Sequence, residues 1–325
     1  MDDRFLSQMR RDPPPALRQG LQARLHAQGP ASRLSGLRPA PVLGLALAAA
    51  AITSLFLFPS VRASAQAMLD LFRVRKFAAV HFDESRFDKV RELDKDHALM
   101  VFERKDETGD TGPPKWSPSP EAAGAIAGID VRRVGYLPNG LALDSVFVSG
   151  ASQARLTVSE TRLRNLLDAL DLHDVSVPGG LDGKLVEVRK PPVVIQRFKH
   201  DHWEAALIQA RSPEVSVPAG MDIERLAEIG LRVLGLDETE ARRFAQETDW
   251  RSTLVVPVPI NAGTFRQVTV HGQSGLLITT TRETEHDGER HLPGSMVLWT
   301  EYDRVFGLMS NLGPDDVMQM AESVR

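Results

Sequence analysis

A chain of 325 residues with 42% hydrophobic and 25% charged content has enough apolar material for a buried core, and its composition is not that of a disordered protein. The net charge of −4 is unevenly spread: seven arginines against three aspartates leave +4 on residues 1–38, so the remaining residues carry −8. An acidic folded part lacks the dense basic patch that direct nucleic-acid binding requires. With no cysteine the chain can hold no disulfide, thiolate nucleophile or Cys-ligated zinc, while its redox compartment stays open.

The basic tail, residues 1–38, comes first. Leu17, Leu21 and Leu25 recur at i, i+4 and i+8 with arginines between them, and Phe5 and Met9 repeat the spacing upstream of the Pro13-Pro14-Pro15 break. Proline is tolerated at a first helical turn, so a short amphipathic helix is predicted from Pro15 to Ala27. Such an element can lie in a partner's groove or on a membrane surface.

Residues 39–61 follow as 23 consecutive positions without a charge, their centre reading VLGLALAAAAITSLFLF from Val42 to Phe58. About 20 helical residues at about 1.5 Å rise each cover a hydrocarbon core of about 30 Å, and a helix satisfies its own backbone in lipid. A single transmembrane helix over 39–61 is therefore predicted. Two rivals remain: a signal peptide cleaved after Ala65, since Ala63-Ser64-Ala65 has the small-x-small pattern, and a buried globular helix. Arg24, Arg33 and Arg38 flank one side, Arg62, Arg73, Arg75 and Lys76 the other, nearly balancing the local charge rule. The whole short tail is the more basic flank, and long domains translocate largely regardless of charge, so the tail is placed in the cytoplasm.

Residues 62–104 read as a juxtamembrane helix turning into strands, and the polar, proline-rich stretch 105–122 as a surface linker. From 123 to 325 short β-rich runs alternate with helical patterns. Strands are predicted at 97–104, 143–150, 183–190, 192–198, 264–270, 275–281 and 295–302, and helices at 160–171, 222–235, 237–248 and 313–324. Asp222, Asp237 and Asp315 stand where a carboxylate can cap exposed N–H groups. The expected fold is α+β: an N-terminal transmembrane helix, then a mostly antiparallel sheet domain with packed helices. A near-repeat, VSVPGGLDG at 175–183 and VSVPAGMDI at 215–223, reuses a Pro-x-Gly turn and contains no phosphate loop.

Motifs that carry chemistry are sparse. His200-x-His202 and the pair His286 and His291 do not by their spacing specify the three or four converging ligands that a zinc site needs. No Gly-x-Ser-x-Gly elbow frames a nucleophile, and Trp250 reads as a core anchor. No catalytic, cofactor-binding or metal-binding residue is assigned, and the chain is read as a non-enzyme.

The order of parts carries a resemblance. A small basic tail, one apolar run, PSVRASAQAMLDLFRVRKFAAV and a β-rich domain containing YLPNGLALDSVFV, DWRSTLVVPVP and MVLWTEYDRVFGLMSNLGPDDVMQMAESVR resemble bacterial membrane-anchored anti-sigma factors and their relatives. The resemblance implies an inner-membrane, single-pass regulator with an extracytoplasmic domain that senses an unknown ligand. Its tail would hold a sigma factor through residues 1–38. Typical members carry a longer helical bundle, often with a His and Cys zinc motif, from which this short cysteine-free tail departs. The alternative is a membrane-tethered envelope module that binds a lipid or lipoprotein in the apolar concavity of a curved sheet and sends no signal.

Overall fold

A computed structural model describes residues 70–83, 85, 86, 89, 102–260, 263–281, 284–286, 289–291 and 293–325. The tail with Phe5, Met9, Leu17, Leu21 and Leu25, the uncharged run 39–61 and most of the expected juxtamembrane helix lie outside these residues; the end of that helix, expected through Phe72, is instead strand from Asp70 to Arg73. Among the described residues no helix is long and apolar enough to cross a membrane.

The folded part is α+β and mostly antiparallel. Its largest sheet has eight strands, in the order β12 (Gly263–Val270), β13 (Gln273–Thr280), β16 (Gly294–Glu301), β17 (Arg304–Ser310), β9 (Trp203–Arg211), β8 (Val193–His200), β5 (Ala142–Ser149) and β4 (Lys115–Ser117). A five-stranded sheet runs β1 (Asp70–Arg73), β10 (Glu214–Val217), β7 (Leu185–Lys190), β6 (Ser152–Val158) and β3 (Phe102–Gly109). β2 (Lys76–Phe82) and β11 (Thr253–Pro259) form a parallel ribbon, and β14 (Thr284–His286) and β15 (Glu289–His291) a small hairpin. Pro257 and Pro259 are tolerated because β11 pairs with β2 alone among the described residues, leaving its other edge without need of their missing N–H groups.

Side-chain periodicity decides the layers. β16 is buried at all eight positions, so it must be covered on both faces. On one face Val297 and Trp299 join Leu207, Phe306, Leu308 and the inner side of α5 (Pro314–Glu322), whose Val317, Met320 and Ala321 recur at helical spacing. Trp299 and Phe306 stack with ring centroids 5.0 Å apart. On the other face Met296 and Leu298 meet Phe77, Leu254, Val256 and Val258 of the ribbon. The ribbon's outer side, Val80 and Val255, is covered by α3 (Ile223–Leu234) and α4 (Glu238–Glu247) through Leu231, Ala241, Ala245 and Trp250. Trp250 is thus a core anchor, its indole N–H donating to the Ala245 carbonyl at 2.7 Å. α2 (Glu160–Ala169) packs Leu163, Leu166 and Leu167 on the five-stranded sheet.

Helix starts follow local chemistry. Asp222 and Asp237 accept from the backbone N–H of Arg225 and Glu240, at 2.9 and 2.8 Å. Asp315 makes no cap bond: Gly313 is the N-cap and Pro314 opens the helix, leaving Asp315 to meet the dipole in the first turn. Ser119 caps α1 (Pro120–Ala127) by accepting from Ala122 N–H.

The stretch 105–122, expected as a surface linker, instead holds the end of β3, all of β4 and the start of α1. β3 pairs with β6 through a bulge between Arg104 and Asp106, and β4 pairs with β5. The polar side chains that suggested a linker belong to strands at sheet edges, where one face and one backbone edge are wet.

Candidate functional site

The ribbon covers only part of its face of the eight-stranded sheet. Cross-strand register places Trp116, Phe147, Ile195, Ile208, Gly307, Leu298 and Leu276 in one continuous row on that face. Leu298 and Leu276 are buried under the ribbon. Toward the β4 edge the cover ends: Ile208, Ile195 and Phe147 are half-buried, and Trp116 is 66% exposed. A parallel row, Ser149, Val193, Ala210 and Val305, runs beside it.

Where covered and open halves meet, a cleft of about 170 Å³ is lined by Ile195, Ile208, Gly307 and Leu298, with the Met296–Met309 pair to one side of that row and Val305, Ser149 and Lys190 to the other. Gly307 produces it. A glycine in mid-strand, flanked by Phe306 and Leu308, loses the packing that any other residue would supply and marks a close approach. A Cβ at Gly307 would meet Leu298 Cδ2 at 3.2 Å and Ile208 Cβ at 3.9 Å, so any larger residue there would crowd Leu298 and narrow the cleft. A row of open apolar groups thus runs beside a small pocket with a single cation at its end.

The opposite face carries a polar network. Gln196 and Gln209, both almost wholly buried, each donate to the carbonyl of Arg132, at 2.7 and 2.8 Å, and Gln209 Oε1 accepts from Arg132 N–H at 2.9 Å. This straps residues 129–141 across the sheet. The Arg132 guanidinium lies over the Phe306 ring and donates to Glu301 at 2.5 Å. Glu301 also accepts from Trp299 Nε1 at 3.1 Å and from His271 Nδ1 at 2.8 Å. His271, in the left-handed region at φ 50°, turns β12 into β13 and directs Nε2 at the Glu322 carbonyl, 2.9 Å away, at the end of α5.

Both ring nitrogens of His271 thus face acceptors, and a neutral imidazole can donate to only one of them. Burial disfavours the charged ring, but the bonds to Glu301 and Glu322 and their negative charges outweigh it, and the pKa rises above the usual histidine value. Glu301 shows the converse: burial raises its pKa, and its bonds to His271, Trp299 and Arg132 bring it below the usual carboxylate value. Because the folded pKa of His271 is raised, its stabilisation is fully present below the unfolded value of about 6.5 and is lost as pH rises through the folded pKa. Thermal melts of the full chain against those of His271→Asn should show a wild-type advantage below that pH that shrinks above it. A constant difference across pH 5 to 9 would contradict the assignment.

Among the described residues no three potential metal ligands gather. His200 and His202 sit at the exposed β8–β9 turn, with the His202 ring 4.5 Å from that of Trp203. The sequence reading did not single out Gly307, Lys190 or the row itself. The glycine interrupting VFGLMS was the available signal.

Compared with known proteins, the chain matches no family model, no curated protein and no solved structure.

Proposed function

We propose that the folded part is a binding module for an apolar ligand, seated on the open half of the eight-stranded sheet. The observation that carries this is the cleft over Gly307, continuous with the half-buried row Ile208, Ile195 and Phe147 and the exposed Trp116. A soluble face covered on one half and apolar on the other is completed by an apolar occupant. At about 170 Å³ the cleft lies below the range of about 300–1,000 Å³ typical of whole-ligand pockets, so it suits one chain rather than a bulky ring system. The reading is tested with the full chain in nanodiscs of neutral lipid and a photoreactive dodecanol as tracer. Gly307→Leu should cut specific labelling about tenfold, the equivalent of about 1.4 kcal/mol of lost burial. Unchanged labelling in Gly307→Leu would sink the reading.

A second reading is favoured by the +4 tail joined to the uncharged run 39–61. In it the chain is a single-pass regulator of the anti-sigma type in a bacterial inner membrane. The outer domain binds the ligand, and residues 1–38, through Leu17, Leu21, Leu25, Phe5 and Met9, hold a transcription factor. A pull-down with residues 1–38 as bait should recover a sigma factor; recovery of none would contradict it. Topology reporters at residues 1 and 325 should report cytoplasmic and extracytoplasmic positions respectively.

A further inference from the structure

The polarity of the cleft changes at its Ser149 and Lys190 end. Lys190 Nζ donates to Ser149 Oγ at 2.8 Å, and no carboxylate among the described residues lies within 4 Å of it. Asp110, the carboxylate whose field reaches Lys190, is itself bound by Lys115 at 2.5 Å. Burial lowers the pKa of Lys190, and the Asp110 charge partly opposes this.

An adjoining basin of about 240 Å³ is lined by Lys190 together with Arg73, Arg189, Arg211, Glu214 and Asp303. Glu214 is engaged by Arg73 at 2.7 Å and approached by Arg189 at 3.8 Å. Arg211 alternates with Ala210 in β9, so its guanidinium turns to the opposite face of the sheet, where it donates to the Gly128 carbonyl at 3.0 Å. The apolar cleft therefore ends at one cation, Lys190, that no carboxylate among the described residues neutralises.

Resting on the apolar-seat reading above, we propose that the occupant is a single-chain amphiphile with a carboxylate head, a fatty acid, its chain over Gly307 between Ile195, Ile208 and Leu298 and its carboxylate on Lys190. The chain completes the sheet face. The carboxylate supplies the charge-assisted bond that Lys190 lacks. A cationic head would be repelled by Lys190, so the site discriminates by sign as well as by apolar fit.

Displacement of the photoreactive dodecanol tracer from the full chain in neutral-lipid nanodiscs separates this inference from the reading beneath it. Dodecanoate, dodecanol and dodecyltrimethylammonium are compared after correction for partitioning into empty discs. Dodecanoate is expected to displace tracer about tenfold more tightly than dodecanol, the increment of one charge-assisted hydrogen bond, with the ammonium weakest. Lys190→Met should abolish the preference for dodecanoate over dodecanol, and Lys190→Arg should keep it. Equal affinity of dodecanoate and dodecanol in the wild type, or a preference that survives Lys190→Met, would overturn the carboxylate proposal and leave the apolar seat standing. Tracer that labels no residue of the cleft would overturn both.

Discussion

Trp299→Ala should destabilise the folded part by about 3–5 kcal/mol, the usual cost of removing a fully buried aromatic side chain from a packed core. Trp299 is among the largest side chains with essentially no solvent exposure, sits on a strand buried on both faces and stacks on Phe306. Its loss opens a cavity between the sheet and α5 and removes the indole N–H from Glu301. Helix and sheet cannot close the gap, because both are held elsewhere, α5 by the Val134–Val324 bridge and β16 by ladders on both sides. Urea unfolding of the full chain, followed by circular dichroism, measures it. A change below about 1 kcal/mol would mean that the site collapses freely, contrary to the packing described.

Glu301→Leu should cost about 3 kcal/mol by the opposite mechanism, since breaking a buried pair leaves the partner charge uncompensated. The carboxylate, 9% exposed in its side chain, takes bonds from Arg132, His271 and Trp299, and leucine answers none of them. Arg132 would lose the partner that holds it over Phe306, and the strap from 129 to 141 would keep Gln196, Gln209 and the Arg304 bond to the Asp130 carbonyl as its polar anchors to the sheet. Because Trp299 and Glu301 share a bond, the double variant should fall short of the sum of the singles by about 0.5 kcal/mol or more. Strict additivity would contradict the network.

Much of the α+β architecture was legible because it is written in local chemistry. Helices at 160–169, 223–234 and 238–247 announce themselves through Ser159, Asp222 and Asp237 at their caps and apolar spacing behind them. β16 has the apolar run Met296–Trp299 at its centre because both its faces are covered, and SMVLWTEY carries that run in plain sight. What stayed hidden is non-local. Nothing in KFAAVHF or TLVVPVP indicates that they pair in parallel across more than 170 intervening positions, since parallel pairing is set by the path of the intervening chain. β4 escaped because three residues carry no period; Lys115-Trp116-Ser117 is a strand only through its pairing with Val146–Val148.

The site was less legible than the fold for the same reason. Trp116, Phe147, Ile195, Ile208 and Gly307 come from five strands scattered over nearly 200 positions, and their alignment is a property of register. The expectation of a ligand in an apolar concavity of the sheet could be formed from the β-rich pattern, but its floor at Gly307 and its cation at Lys190 could not. Gly307 gains meaning only once Leu298 and Ile208 are known to flank it, and Lys190 only once Asp110 is seen to be occupied by Lys115.

The central claim, that the open half of the eight-stranded sheet holds an apolar chain, is tested most directly by finding where such a chain lies. The full chain in neutral-lipid nanodiscs is irradiated with dodecanol carrying a diazirine at its terminal carbon, and the modified residues are mapped by mass spectrometry. Labels concentrated within 193–210 and 305–309, and lost from both segments in Gly307→Leu, are the predicted result. Labels scattered over exposed surface, or clustered on segments of the opposite face such as 129–141 or 314–322, would contradict it.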